Sequence, residues 1–157
     1  MMMILGMFIF KRRTLPFQTM TQESAYRWAA GSRIGTRPAQ QFLGVGDENI
    51  TLLGELRPEI TGGAPALAAL MDIAEAGQAW PLLNGEGFLY GMFVIENING
   101  VHADLLENGT ARKINFTLKL KRVDESRSAM FGDLKQQAER IYGNVSSQVS
   151  TLAGSIL

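Results

Sequence analysis

The chain has 157 residues, 15 basic against 15 acidic, one histidine and no cysteine, with 46% hydrophobic and 19% charged residues. This is ordinary globular composition, which excludes a disordered or fibrous chain, and the lack of cysteine excludes a disulfide framework or a thiolate metal site. The length suits one domain with a substantial core.

The charge is balanced in sum but not along the chain. Residues 1–46 carry Lys11, Arg12, Arg13, Arg27, Arg33 and Arg37 against the single acid Glu23. Residues 47–107 carry ten acids against Arg57, and residues 108–157 carry eight bases against four acids. A subunit with such segments on different faces is dipolar, and like subunits would attract head to tail. Solvated loops are the competing explanation.

The opening MMMILGMFIF is apolar but precedes Lys11-Arg12-Arg13, the reverse of a secretory signal. It also falls well short of the roughly 20 residues that cross a membrane. The expectation is a first strand over Met3–Phe10, no membrane association and folding in the cytoplasm. Between Lys11 and Arg37 the mixed, weakly alternating FQTMTQESAYRW and the following Gly31, Gly35 and Pro38 predict a long hairpin or arm, with Arg33 and Arg37 near its end. Gly44 and Gly46 form a Gly-x-Gly that lacks a third glycine and a following helix, which makes a turn and not a phosphate loop. In Asn49–Leu56, Ile50, Leu52 and Leu56 share one face of a strand.

Residues Ala64–Ala79 form the first predicted helix, with Pro65 early and Leu67, Leu70, Met71 and Ala74 as its apolar stripe. The turn Asn84-Gly85-Glu86-Gly87 leads to Phe88–Ile98, apolar at both parities and so predicted as a covered central strand. Asn99-Gly100 is a strong hairpin signal, so Val101–Leu106 is expected to return as a short strand. After the turn Glu107-Asn108-Gly109-Thr110, Arg112–Val123 alternates: Ile114, Phe116, Leu118 and Leu120 point one way, Asn115, Thr117, Lys119 and Lys121 the other. The expectation is a three-stranded meander over 88–98, 101–106 and 111–123.

From Ser126 the chain is predicted helical as far as Gly143, with an apolar stripe running from Phe131 through Leu134, Ala138 and Ile141 to Ile156. Residues 144–157 carry no charge and have poor helix propensity, so the organisation expected is a domain over 1–143 and a mobile tail over 144–157.

Catalytic constellations are lacking. His102 has no second histidine or cysteine to complete a metal site or a triad. Asp47-Glu48 and Asp124-Glu125 sit at turns or a helix start, where capping explains them. No catalytic, cofactor-binding or metal-binding residue is assigned, and no enzyme is expected. Lys11-Arg12-Arg13, Lys119, Lys121 and Arg122 leave a small nucleic-acid-binding module as an alternative, opposed by the acidic middle third and a pI near 6.6.

The stretches LGMFIFKRRTLPFQTMTQESAYRW, SRIGTR, QFLGVGDENITLLGEL, AWPLLNGEGFLYGMFVIENI and RKINFTLKLKRVDES together resemble the tail protein U (GpU) family of temperate contractile-tailed phages, from about Leu5 to Gly143. The resemblance implies an α+β fold of two packed antiparallel sheets, tail-tube-like, flanked by one main helix and followed by a C-terminal helix. It implies a structural virion protein needed to build the tail, without catalysis or cofactor. Similar proteins of phage-tail-like bacteriocins form a hexameric ring between the tail tube and the baseplate hub, and a terminator ring at the head-proximal end is the alternative. The implied partners are further copies of the chain, the tail tube and hub proteins, with neither a membrane nor a specific nucleic acid. The implied location is the virion tail after assembly in the host cytoplasm. On that basis Arg12, Arg13, Arg33 and Arg37 of one subunit are expected to meet acids such as Glu48, Glu55 and Glu59 of the next, with Lys119 and Lys121 facing the lumen or the outer surface.

Overall fold

The computed structural model describes residues 2–60 and 63–123, together with residues 135, 136, 138–140, 142, 143, 146 and 154. The chain divides into two units, Met1–Val123 and Asp124–Leu157. The first is mainly β: β1 (Met3–Leu5), β2 (Phe8–Phe10), β3 (Thr19–Gly31), β4 (Ala39–Leu56), helix α1 (Gly63–Glu75), β5 (Trp80–Asn84), β6 (Leu89–Leu105) and β7 (Ala111–Val123). All seven strands join in one antiparallel sheet of order β2-β1-β5-β6-β7-β4-β3, where two packed sheets were expected.

The alternation in β7 translates directly into the core. Ile114, Phe116, Leu118 and Leu120 are buried, and each stands beside an apolar or glycine partner on β4. The pairs Leu56↔Ile114, Leu52↔Leu118 and Ile50↔Leu120 form a continuous apolar row, whose buried side chains each contribute about 1.5–3 kcal/mol. Opposite Phe116 stands Gly54, where an added Cβ would overlap the Phe116 ring and the Pro16 carbonyl oxygen. A glycine is required there because the backbone and ring approach too closely for any side chain.

Strand β6 runs unbroken through Asn99-Gly100, so the anticipated hairpin there does not form and the three-stranded meander becomes two long strands. A local turn preference is overridden because β7 offers a partner along the whole length, from Met92↔Val123 to Leu105↔Ala111. Gly100 instead provides a flat spot under α1, where an added Cβ would lie 3.6 Å from Leu67. The turn that does form is the predicted one: Leu106 N–H donates to the Thr110 carbonyl at 2.8 Å, and Gly109 adopts φ +80°.

The predicted first strand is also divided, since Gly6 at φ +58° folds Met3–Phe10 into the β1–β2 hairpin. In a flat sheet β2 would lie five strand spacings, roughly 24 Å, from β4. Yet the Phe10 ring sits 6.0 Å from Phe17, and the adjacent Gln18 N–H donates to Leu53 of β4 at 2.8 Å. The sheet therefore curls back on itself, and one sheet encloses a core that two were expected to form. That core contains no buried polar or charged side chain among the described residues. Helix α1 buries Leu67 and Leu70, leaves Met71 exposed, and ends earlier than predicted, at Glu75, followed by Gly77 with φ +65°.

In the second unit residues 135, 136, 138–140, 142, 143, 146 and 154 are helical, and Ser146 Oγ donates to the Gly143 carbonyl at 2.9 Å. Apart from Ala138, the apolar stripe from Phe131 to Ile156 lies outside the described residues. So does the expected mobile tail over 144–157, except Ser146 and Gly154.

The close approach at Gly54 has a direct consequence. Gly54→Ala is expected to destabilise by about 1–3 kcal/mol through overpacking, and Leu118→Ala by about 2–5 kcal/mol through its cavity, both measurable by urea unfolding. A Gly54→Ala protein as stable as the parent would refute the close contact.

Candidate assembly interface

The distal halves of β3 and β4 leave the body of the sheet as a two-stranded arm. β4 pairs with β7 only from Asn49 onward, so Ala39–Glu48 is flanked by β3 alone. An arm is therefore present with Arg33 and Arg37 in the connecting Ser32–Pro38 segment at its tip, as expected, but it is built from Ser24–Gly31 and Ala39–Glu48 and not within Lys11–Arg37. Gly44 lies within β4 and not in a turn; register shifts at Ser24/Tyr26 and Arg27/Trp28 absorb the irregularity as bulges.

This arm buries little. Tyr26 pairs with Val45 and Trp28 with Phe42, which puts all four on one face, and the Trp28 and Phe42 rings lie 5.1 Å apart. They are 52–65% exposed, and Ile34 at the tip is fully exposed. A two-stranded ribbon is marginal by itself, and an apolar face of this kind marks a contact surface. The expectation from sequence located the arm through its arginines and missed this aromatic face, because bulges break the alternation that would have announced it.

The charged residues fall into two groups. Glu48 accepts from Arg122 at 2.6 Å and from Gln22 at 2.7 Å, and Lys121 meets Asp47 at 3.2 Å. Glu55 pairs with Arg57 at 2.8 Å and Lys113 at 3.0 Å, and Arg112 approaches Glu59 at 3.8 Å. The acids Glu48, Glu55 and Glu59 thus already have bases of their own subunit. By contrast Arg12, Arg13, Arg33 and Arg37 are exposed and make no ion pair among the described residues, nor do Asp72, Glu75, Glu86, Glu96, Asp104 and Glu107. Lys119 is likewise exposed on the outward face of β7, and Lys121 beside it is partly covered by its pairing with Asp47.

Two grooves flank α1. One, of about 330 Å³, lies between Met71, Ala74 and Glu75 of the helix and Ile95–Ile98 of β6. The other, of about 390 Å³, includes Pro58, Glu59, Ala64, His102 and Arg112. His102 is exposed, and no group of three or more His, Asp or Glu side chains is placed to hold a metal ion among the described residues.

Hydrogen bonds from Arg57 and then Lys113 hold the Glu55 carboxyl below the usual glutamate range, against a smaller opposing effect of desolvation. A lowered carboxyl contributes stability above its unfolded pKa of about 4.3 and loses it as pH falls through the lower folded value. Glu55→Gln should therefore lower the melting temperature at neutral pH, and the gap to the parent should close in acid. A gap that stays constant down to about pH 3, well below the unfolded value, would show that the pairing contributes nothing.

No curated protein matches the chain. The Phage P2 GpU family matches residues 6–125, which runs from the turn of the first hairpin through the arm, the helix and the end of β7. With most of its length covered by that match, the chain belongs to the Phage P2 GpU family and is a structural component of a phage tail.

Proposed function

We propose that this protein forms a homo-oligomeric ring, a hexamer, that joins the tail tube to the baseplate hub of a contractile tail and is needed for tail assembly in the host cytoplasm. The role is architectural and involves neither catalysis nor a cofactor. The observation that supports it most is the arm: a ribbon with an aromatic face and a basic tip, which finds no partner among the described residues of Met1–Val123. Its Arg33 and Arg37, with Arg12 and Arg13 at the body, supply the basic side of a head-to-tail contact, and the acids of residues 47–107 supply the other. Among those acids Glu48, Glu55 and Glu59 would have to share or exchange their present bases to serve in the contact. Lys119 stands on the outer face of the sheet, free to contribute charge to a lumen or to a neighbouring ring.

Electron cryomicroscopy of assembled tails carrying a tagged copy tests the position. The expected image is a six-fold ring of tagged density between tube and hub; density at the head-proximal end would replace this reading with that of a terminator ring. A second measurement addresses the arm. Trp28→Ser with Phe42→Ser should leave the melting temperature of the isolated subunit almost unchanged, because these side chains are exposed, while abolishing incorporation into tails. Normal incorporation of the double variant would remove the arm from the interface.

A further inference from the structure

Glu48, Glu55 and Glu59 are paired within the subunit, which leaves the acids without an ion pair among the described residues to receive the basic arm tip. Asp72 and Glu75 lie three residues apart on α1 and therefore on one helix face. Glu96 sits at the register shift between Ile95 and Asn97, where a bulge re-aims its side chain out of the regular alternation. Glu75 and Glu96 both line the groove of about 330 Å³ between α1 and β6, whose apolar lining includes Met71, Ile95 and Ile98. Along this part of β6, from Val94 onward, no strand among the described residues pairs on the side away from β7. The groove is thus an apolar trough with two unpaired carboxylates on it, beside an open strand edge.

The arm tip has the complementary pattern. Arg33 and Arg37 bracket the exposed Ile34, an apolar side chain between two unpaired guanidinium groups. Within one subunit the two cannot meet, because β4 carries the tip ten residues past Asn49, roughly 30 Å along the strand. On the far side of β7 the groove lies level with β4 residues near Ile50.

We propose that the groove between α1 and β6 receives the arm tip of a second copy of this chain, with Ile34 seated against Met71, Ile95 and Ile98 and with Arg33 and Arg37 paired to Glu75 and Glu96. This rests on the ring reading and refines it, since it moves the receiving surface from Glu48, Glu55 and Glu59 to the helix and β6. Donor and receiver are different surfaces, so each copy can accept one arm and offer another, and the contact propagates head to tail. Desolvated arginine–carboxylate pairs fix the register, and the apolar anchor in the trough supplies the hydrophobic contact.

The chain has no cysteine, so a disulfide placed across this contact is unambiguous. Full-length protein carrying both Ile34→Cys and Asn97→Cys, assembled into tails and mildly oxidised, should run on a non-reducing denaturing gel as a ladder of linked subunits that extends beyond the dimer. Each single variant should give no ladder. Tails that contain a ring by electron microscopy but give no ladder overturn the docking and leave the ring reading standing; tails in which the protein occurs as a single copy overturn both. A ladder that stops at the dimer overturns head-to-tail docking, because it signifies a symmetric pair. A charge exchange gives an independent readout: Arg33→Glu with Arg37→Glu should abolish incorporation, and adding Glu75→Arg and Glu96→Arg should restore it. Lack of rescue, with the quadruple variant folded by its melting curve, overturns the proposed pairs.

Discussion

Everything in the first unit depends on β4 serving two environments along one continuous strand. From Asn49 to Leu56 it lies between β3 and β7 and places Ile50, Leu52 and Leu56 in the core. From Ala39 to Glu48 the same strand extends past β7 with only β3 beside it, and its larger side chains remain in solvent. The cross-strand apolar row with β7 anchors the inner half, and the outer half continues from it as a ribbon with β3. The arm is thereby a direct extension of strands that begin in the core.

The body of the domain is closed by the opposite device. Short strands β1 and β2 sit at the other end of the hydrogen-bonded order, and the sheet curls so that Phe10 reaches the residues leading into β3. A core with only apolar buried side chains tolerates this curl because the backbone ladder already pairs the polar backbone groups along the strands. The ion pairs around Glu48, Glu55 and Asp47 lie outside this core, along β4, β7 and the residues just after β4. Such exposed pairs contribute little to stability singly, and their positions tie the base of the arm to β7.

Much of this was legible in the residues alone. The row Ile114, Phe116, Leu118 and Leu120, the turns at Asn84–Gly87 and Glu107–Thr110, the helix with Leu67 and Leu70, and the arm with its two arginines follow from periodicity and turn chemistry. Two features did not. Asn99-Gly100 favours a hairpin locally, and only the length of β7, a dozen residues further on, keeps β6 straight. The engagement of Glu48 by Arg122 joins residues 74 positions apart, so no local pattern can reveal which acids are occupied and which are available. Long-range pairing likewise decided that the strands form one curled sheet and not two.

The bulges in the arm bear on what its exposed edge can accept. A straight, regular edge strand is a template on which any other strand can add, and β3 presents such an edge to solvent along the arm. The shifts at Ser24/Tyr26 and Arg27/Trp28 each set one extra residue of β4 against β3, which increases the local twist of the arm and with it of the β3 edge. A strongly twisted edge is a poorer template for regular strand addition than a flat one.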